Sequence, residues 1–196
     1  MSSSFFTLLF KPFERTAGIQ ALALGLTVLL AQSVLAYFLN AQFDGLLNLH
    51  FGEPHTLYTV GLQVLINWLS IALCFYLFAL IFKAKNLRLI DVFGTSALAF
   101  APLIVGPLLN GQGYFSKISK AIAEKPFAAA NTIAENNPVF FALSSVLLLL
   151  LIVWHVALLY NAFKISTNLK KSKLISGFIL SLLFASIIST ILTRII

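Results

Sequence analysis

From Val139 to Phe163 the chain runs "VFFALSSVLLLLLIVWHVALLYNAF", 25 residues without a charge. A segment of that length and polarity has one comfortable solvent, because about 20 residues at 1.5 Å rise cross the hydrocarbon core of a bilayer. Four further uncharged stretches cover 17–39, 57–82, 92–109 and 174–193. Composition agrees, with 60% hydrophobic and 10% charged residues, where soluble domains carry about 25% charged. The expected fold class is all-α: a polytopic membrane protein, a bundle of five transmembrane helices with a kinked third helix. Residues 1–16 form a short cytoplasmic or interfacial N-terminal arm, and 17–196 form a single membrane domain with spans at about 17–39, 57–82, 92–109, 139–163 and 174–193. No soluble domain and no sequence repeat is evident.

The third run, "VFGTSALAFAPLIVGPLL", carries Gly94, Pro102, Gly106 and Pro107 in an otherwise greasy segment. Proline lacks a backbone donor, so Pro102 and Pro107 are expected to free the carbonyls of Leu98 and Leu103. Five residues apart, the two prolines point about 140° from one another rather than forming one notch. Freed carbonyls in lipid must be met by water, side chains or neighbours. The readings are a packed kink or a ligand-coordinating break; a re-entrant segment is the alternative to a full crossing.

Orientation follows the lysines and arginines. Lys11 and Arg15 precede the first span, Lys83, Lys85 and Arg88 follow the second, and Lys164, Lys170, Lys171 and Lys173 follow the fourth. On the other side lie Lys117, Lys120, Lys125 and Arg194, so the two sides hold nine and four cations. The positive-inside rule then places the N-terminus in the cytoplasm and the C-terminus outside. The formal charge of +7 is accounted for by topology and anionic headgroups, with no need for nucleic acid. A rival reading makes the first run a cleaved signal peptide ending in "SVLA" at Ala36, but its apolar run exceeds a signal core of about 7 to 15 residues.

Outside the spans, Phe5, Phe6, Leu8, Leu9, Phe10 and Phe13 are too few to cross and suit a short element on the inner leaflet or a greasy tail. In "YFSKISKAIAEK", Tyr114, Ile118, Ala121 and Ile122 share one helical face, an amphipathic pattern. That helix is expected to lie flat on the outer surface, with packing over the bundle mouth as the alternative. "NNP" at 136–138 reads as a turn before span four.

Without a hydrophobic force between helices in lipid, small residues permit close backbone approach. Gly177, Ser181, Ala185, Ser189 and Thr193 recur at four-residue spacing in the fifth span, Ala17, Ala21 and Gly25 in the first, and Thr95, Ala99, Pro102 and Gly106 in the third. By contrast Leu147 to Trp154 has no small residue and is expected to face lipid.

Polar groups inside spans are costly and therefore candidates for function. They are Gln32, Gln63, Asn67, His155 and Asn161, with Asp91 at the edge of span three. Gln63 and Asn67 share a helix face and are explained by interhelical hydrogen bonds. His155 suits a structural hydrogen bond or proton handling, though no deep carboxylate accompanies it. The loop with Asp44, His50, Glu53 and His55 matches no zinc spacing; its groups are expected to be solvated or paired with Lys117, Lys120 or Lys125. No phosphate-binding glycine loop, metalloprotease helix or activated serine is present. Cys74, the single cysteine, allows no internal disulfide. The expectations are no enzyme, no cofactor and no metal.

Two segments carry a family resemblance: "LRLIDVFGTSALAFAPLIVGPLL" at 87–109, and "VWHVALLYNAFKISTNLKKSKLISGFIL" at 153–180. With five close-set spans and an inside N-terminus, the chain resembles the Yip family, the Ypt/Rab-interacting proteins and their bacterial relatives. The resemblance implies a non-catalytic membrane protein, and the expected role is a helical scaffold that binds partner proteins or organises lipid. The arm lacks the Asp-Leu-Tyr-Gly-Pro signature of eukaryotic members, so the bacterial type and a bacterial inner membrane are implied rather than GTPase binding. Expected partners are membrane lipids, and other membrane proteins or a homo-oligomer. The alternative is a small-solute or lipid transporter, scramblase-like in action, using Pro102, Gln63, Asn67 and His155.

Overall fold

A computed structural model describes residues 12–53, 55–124 and 137–196. The apolar residues Phe5 to Phe10, with Lys11, Lys125 and Asn136, lie outside the described residues. After a 3-10 turn at Pro12–Glu14 the chain enters α1 (Gly18–Phe38) and then a hairpin of β1 (Ala41–Gly45) and β2 (Asn48–Phe51). Then come α2 (Leu57–Ile81) and a third span built of α3 (Leu89–Leu98), a 3-10 turn (Ala101–Ile104) and α4 (Val105–Leu108). The amphipathic α5 (Tyr114–Glu124) precedes the long α6 (Pro138–Thr167) and α7 (Lys171–Thr193). Five helices are long and apolar enough to cross a membrane: Gly18–Phe38, Leu57–Ile81, Leu89–Leu108, Pro138–Thr167 and Lys171–Thr193. The third is bent by 35°.

Local chemistry sets the helix ends. Thr56 caps α2, its Oγ1 accepting from the Thr59 amide at 3.1 Å. Asn137 does the same for α6 through the Phe140 amide at 3.1 Å, with Pro138 in the first helical position. That helix ends at Asn168, whose left-handed φ of 52° stops it. At the start of α1, the Gly18 amide, one of the donors a helix leaves unmet, gives its proton to Asp91 Oδ1 at 3.0 Å. Asp91 therefore ties the first span to the third. Three spans reach past their expected limits: α3 starts at Leu89, α6 runs on to Thr167 and α7 starts at Lys171. Each extension takes in a charged residue (Asp91, Lys164, or Lys171 with Lys173) that a helix end at the headgroup level accommodates.

The tightest crossing joins α1 to α3. A Cβ placed on Gly25 would stand 2.5 Å from the Ala97 Cβ and 2.8 Å from the Leu98 nitrogen. One on Gly94 would stand 2.7 Å from the Leu22 nitrogen. Only glycine permits that backbone approach. Trp68 of α2 binds the same helix, its indole N–H 3.2 Å from both the Phe93 carbonyl and Ser96 Oγ. On the other side of α2 lies α7, where Gly177, Ser181, Ala185, Ser189 and Thr193 are all buried. The Phe163 ring would meet a Cβ on Gly177 at 3.1 Å, and Ser181 Oγ lies 3.4 Å from the Cys74 carbonyl. Helix α6 packs mainly on the third span and exposes Leu143, Leu149, Leu150 and Val153, as the leucine run suggested; Leu151 alone within that run turns fully inward.

Between α1 and α2, where the sequence pattern indicates only a loop, the chain forms a hairpin. Strands β1 and β2 pair antiparallel, Ala41 opposite Phe51 and Gln42 opposite His50, with an irregularity before Gly45. It does not lie over the bundle as a solvated loop: Ala41, Gln42, Phe43, Gly45 and Leu46 are buried, β1 being enclosed between α2 and α7. Helix α5 closes this end. Its Phe115 ring stacks on Phe51 at 5.1 Å and meets Phe141 at 6.0 Å. The amphipathic helix therefore packs over the bundle mouth rather than lying flat away from it. Its buried face is Phe115 and Ile118, while Ile122 is exposed.

Candidate functional site

Open sheet edges do not survive in hydrocarbon because every backbone donor and acceptor needs a partner. A hairpin inside a bundle of spans must therefore be met by side chains, and four polar residues of the spans meet this one. Gln63 Oε1 accepts from the Phe43 amide at 3.2 Å, and Asn67 Nδ2 donates to the Phe43 carbonyl at 2.8 Å. From the opposite side Ser189 Oγ accepts from the Leu46 amide at 3.0 Å, and Thr193 Oγ1 donates to the Asp44 carbonyl at 2.6 Å. Gln63 and Asn67 share a helix face as their spacing required, but they bind a strand, not another helix. The small stripe of α7 serves three surfaces: the Phe163 ring of α6 through Gly177, α2 through Ser181, and the hairpin through Ser189 and Thr193.

The second polar centre is the bend of the third span. Pro102 has no N–H to give, and the Leu103 amide turns to the Phe100 carbonyl at 2.9 Å in 3-10 fashion. The Ala99 carbonyl then takes its hydrogen bond from another helix: His155 Nδ1 of α6 stands 2.8 Å away. The carbonyl met by a side chain is thus that of Ala99, one residue beyond the Leu98 carbonyl expected from α-helical counting. A carbonyl only accepts, so Nδ1 carries the proton and the neutral ring presents Nε2 as an acceptor. The ring is fully buried and meets Phe100 edge-on at 4.8 Å. Pro107, also buried, sits a turn further along, near where α4 ends.

Among the described residues, the buried side-chain atoms without a partner are Gln32 Oε1, Asn67 Oδ1 and His155 Nε2. His155 also lines an apolar cavity of about 280 Å³ between the hairpin, the third span and α6.

The acidic and histidine residues of the hairpin loop separate. His50 Nδ1 lies 2.6 Å from Asp44 Oδ2 across the hairpin, while Glu53 and His55 are exposed. Lys117 and Lys120 are exposed on α5. No group of three metal-ligating side chains occurs among the described residues. At the other end of the bundle, Arg15, Lys83, Lys85, Arg88, Lys164, Lys170, Lys171 and Lys173 are all exposed.

Sequence reasoning missed two residues that matter. Asn110, 2% exposed, donates to the Leu39 carbonyl at 2.6 Å and accepts from the Ser116 amide at 3.1 Å, joining α1, the third span and α5. Trp68 is the second: a buried indole N–H requires an acceptor, and it finds the Phe93 carbonyl and Ser96 Oγ on α3. No family model, no curated protein and no solved structure matches the chain.

Proposed function

We propose that this chain is a non-catalytic membrane scaffold of the Yip-like type, organising lipid and partner proteins. Its N-terminus would face the cytoplasm of a bacterial inner membrane and its C-terminus the outside. The observation that carries this reading is the use made of the interior polar groups. Gln63, Asn67, Ser189 and Thr193 are committed to holding the hairpin, which makes the hairpin half of the bundle a fixed framework. The cations exposed at the opposite end form a surface suited to anionic headgroups, each worth about 1 kcal/mol near a charged leaflet. The resemblance of 87–109 and 153–180 to the Yip family points the same way.

The test is reconstitution in vesicles. The scaffold reading expects retention of anionic over zwitterionic lipid, weakened when Lys164, Lys170, Lys171 and Lys173 are all changed to Gln, with lipid scrambling and solute release no faster than in empty vesicles. Flux abolished by Pro102→Ala would overturn it in favour of the second reading, a lipid- or solute-moving protein. One observation favours that second reading: a bent third span beside an apolar cavity.

A further inference from the structure

We infer, resting on the anionic-lipid reading above, that the seam between α2 and α7, at the end of the bundle away from the hairpin, binds a phospholipid whose headgroup carries two phosphates. One contact fixes the place. A Cβ on Gly177 of α7 would stand 3.1 Å from the Phe163 ring of α6 and 3.3 Å from the Phe82 ring at the end of α2. Lys83 follows Phe82, Lys164 follows Phe163, and Lys173 precedes Gly177 by one turn on the same helix face. Consecutive Cα atoms are about 3.8 Å apart and a helical turn rises about 5.4 Å. Lysines from three chain segments therefore meet around that contact.

Two turns hold these cations in place. Past α2 the Lys83 amide donates to the Leu80 carbonyl at 2.9 Å and the Ala84 amide to the Ala79 carbonyl at 2.8 Å. This Schellman pair sets Lys83, with φ 58°, where glycine is ordinary. Between α6 and α7 the buried Thr167 hydroxyl donates to the Phe163 carbonyl at 2.6 Å and accepts from the Leu169 amide at 3.4 Å. Lys171 is left-handed too, with φ 53°, and non-glycine residues held so concentrate at ligand clamps and switch regions. With Lys85 and Lys170, six lysines gather here, and no Asp or Glu occurs in 83–88 or 164–173. Among the described residues none of the six has a carboxylate partner. One phosphate would leave most of that charge unmet, whereas two on one headgroup meet cations on both flanks of the seam.

The apolar strip beyond the lysines makes the occupant a lipid. Deeper along the seam the Phe78 ring of α2 meets the Phe184 ring of α7 at 5.5 Å, and Ile81, Ile179 and Phe184 are exposed. Acyl chains cover that strip while the phosphates stay with the lysines. An acidic peptide or a free diphosphate would use the lysines alone.

The full chain in neutral detergent is titrated with cardiolipin, phosphatidylglycerol and phosphatidylcholine, and bound lipid is read by native mass spectrometry. One cardiolipin is expected to bind at least about fivefold more tightly than one phosphatidylglycerol, and Lys83→Gln with Lys173→Gln should weaken it about fivefold per lysine and erase the preference. Both side chains are exposed, so the fold is not at stake. Lys117→Gln with Lys120→Gln removes the same charge from exposed positions on α5 and should leave the preference intact. Equal binding of the two anionic lipids, or equal effects of the two double variants, would overturn the site and leave the broader anionic surface standing. No preference for either anionic lipid over phosphatidylcholine would overturn both. Displacement of cardiolipin by pyrophosphate or by polyglutamate at equal concentration would assign the lysines to a soluble anion and overturn the lipid.

Discussion

Asn67, ten residues into α2, gives its side-chain amide to the main-chain carbonyl of Phe43 at 2.8 Å, and Gln63 one turn earlier takes the amide proton of that same residue at 3.2 Å. Two side chains of one helix thus replace a missing neighbouring strand at a single residue of β1. Hydrogen bonds between helices in membranes average about 0.6 kcal/mol. Leaving a buried backbone group unmet costs more, about 1–3 kcal/mol. Asn67→Leu is therefore expected to destabilise by about 1–3 kcal/mol and to loosen the hairpin. Thermal unfolding in detergent gives the first, and faster maleimide labelling of a cysteine placed at Leu47 gives the second. A change within error of wild type in both would show that the pairing carries no weight.

The α1–α3 crossing separates steric from conformational effects of glycine. Gly25→Ala and Gly94→Ala place a methyl against backbone atoms under 3 Å away and should cost about 1–3 kcal/mol. Gly61→Ala in α2 meets nothing within 4 Å and should be neutral or stabilising by up to about 1 kcal/mol. Melting temperatures of the three variants test this, and equal losses at Gly61 and Gly25 would refute the crossing.

On α7 the expected effect follows the face. Ser181→Leu and Ala185→Leu insert bulk where both residues are 0% exposed and should weaken folding by about 1–3 kcal/mol. Leu183→Ala, at a position 54% exposed, should change stability by less than about 0.5 kcal/mol. Detergent resistance and monomer recovery read the difference.

Much of this architecture was legible in the sequence, and the illegible part has a physical cause. Spans are set by uncharged length, so all five were found, and the bend at Pro102 follows from its missing donor. The hairpin was hidden because β1 is buried on both faces and lacks the alternation that marks a half-exposed strand. One signal was nonetheless present, the alternating "NLHF" of β2; Asp44-Gly45, a favoured reversal pair, lies within β1, and the chain reverses at Leu46–Leu47 instead. The polar partners were named correctly as residues, but spacing on one helix cannot say whether the facing group is a helix or a strand. The Ala99–His155 contact joins residues 56 positions apart and depends on a local switch to 3-10 geometry, which periodicity does not encode.

That contact makes a coupled prediction. Pro102→Ala supplies an N–H and lets the third span regain α-helical bonding, with the Leu103 amide returning to the Ala99 carbonyl. In the native background His155→Ala orphans that carbonyl and should cost about 1–3 kcal/mol. In the Pro102→Ala background the cost should fall by at least about 1 kcal/mol, a coupling within reach of a double-mutant cycle. Additive losses would show that the bend and the histidine are independent.

The account turns on a strand held inside the membrane bundle by α2 and α7, and one crosslinking measurement addresses it. With Cys74 changed to Ser, cysteines at Leu46 and Ser189, whose amide and hydroxyl now lie 3.0 Å apart, are oxidised in native membranes. Rapid disulfide formation is predicted for that pair, and none for Leu46 with Leu183 on the outer face of α7. Modification of the Leu46 cysteine by a membrane-impermeant reagent, with no crosslink to position 189, would contradict it.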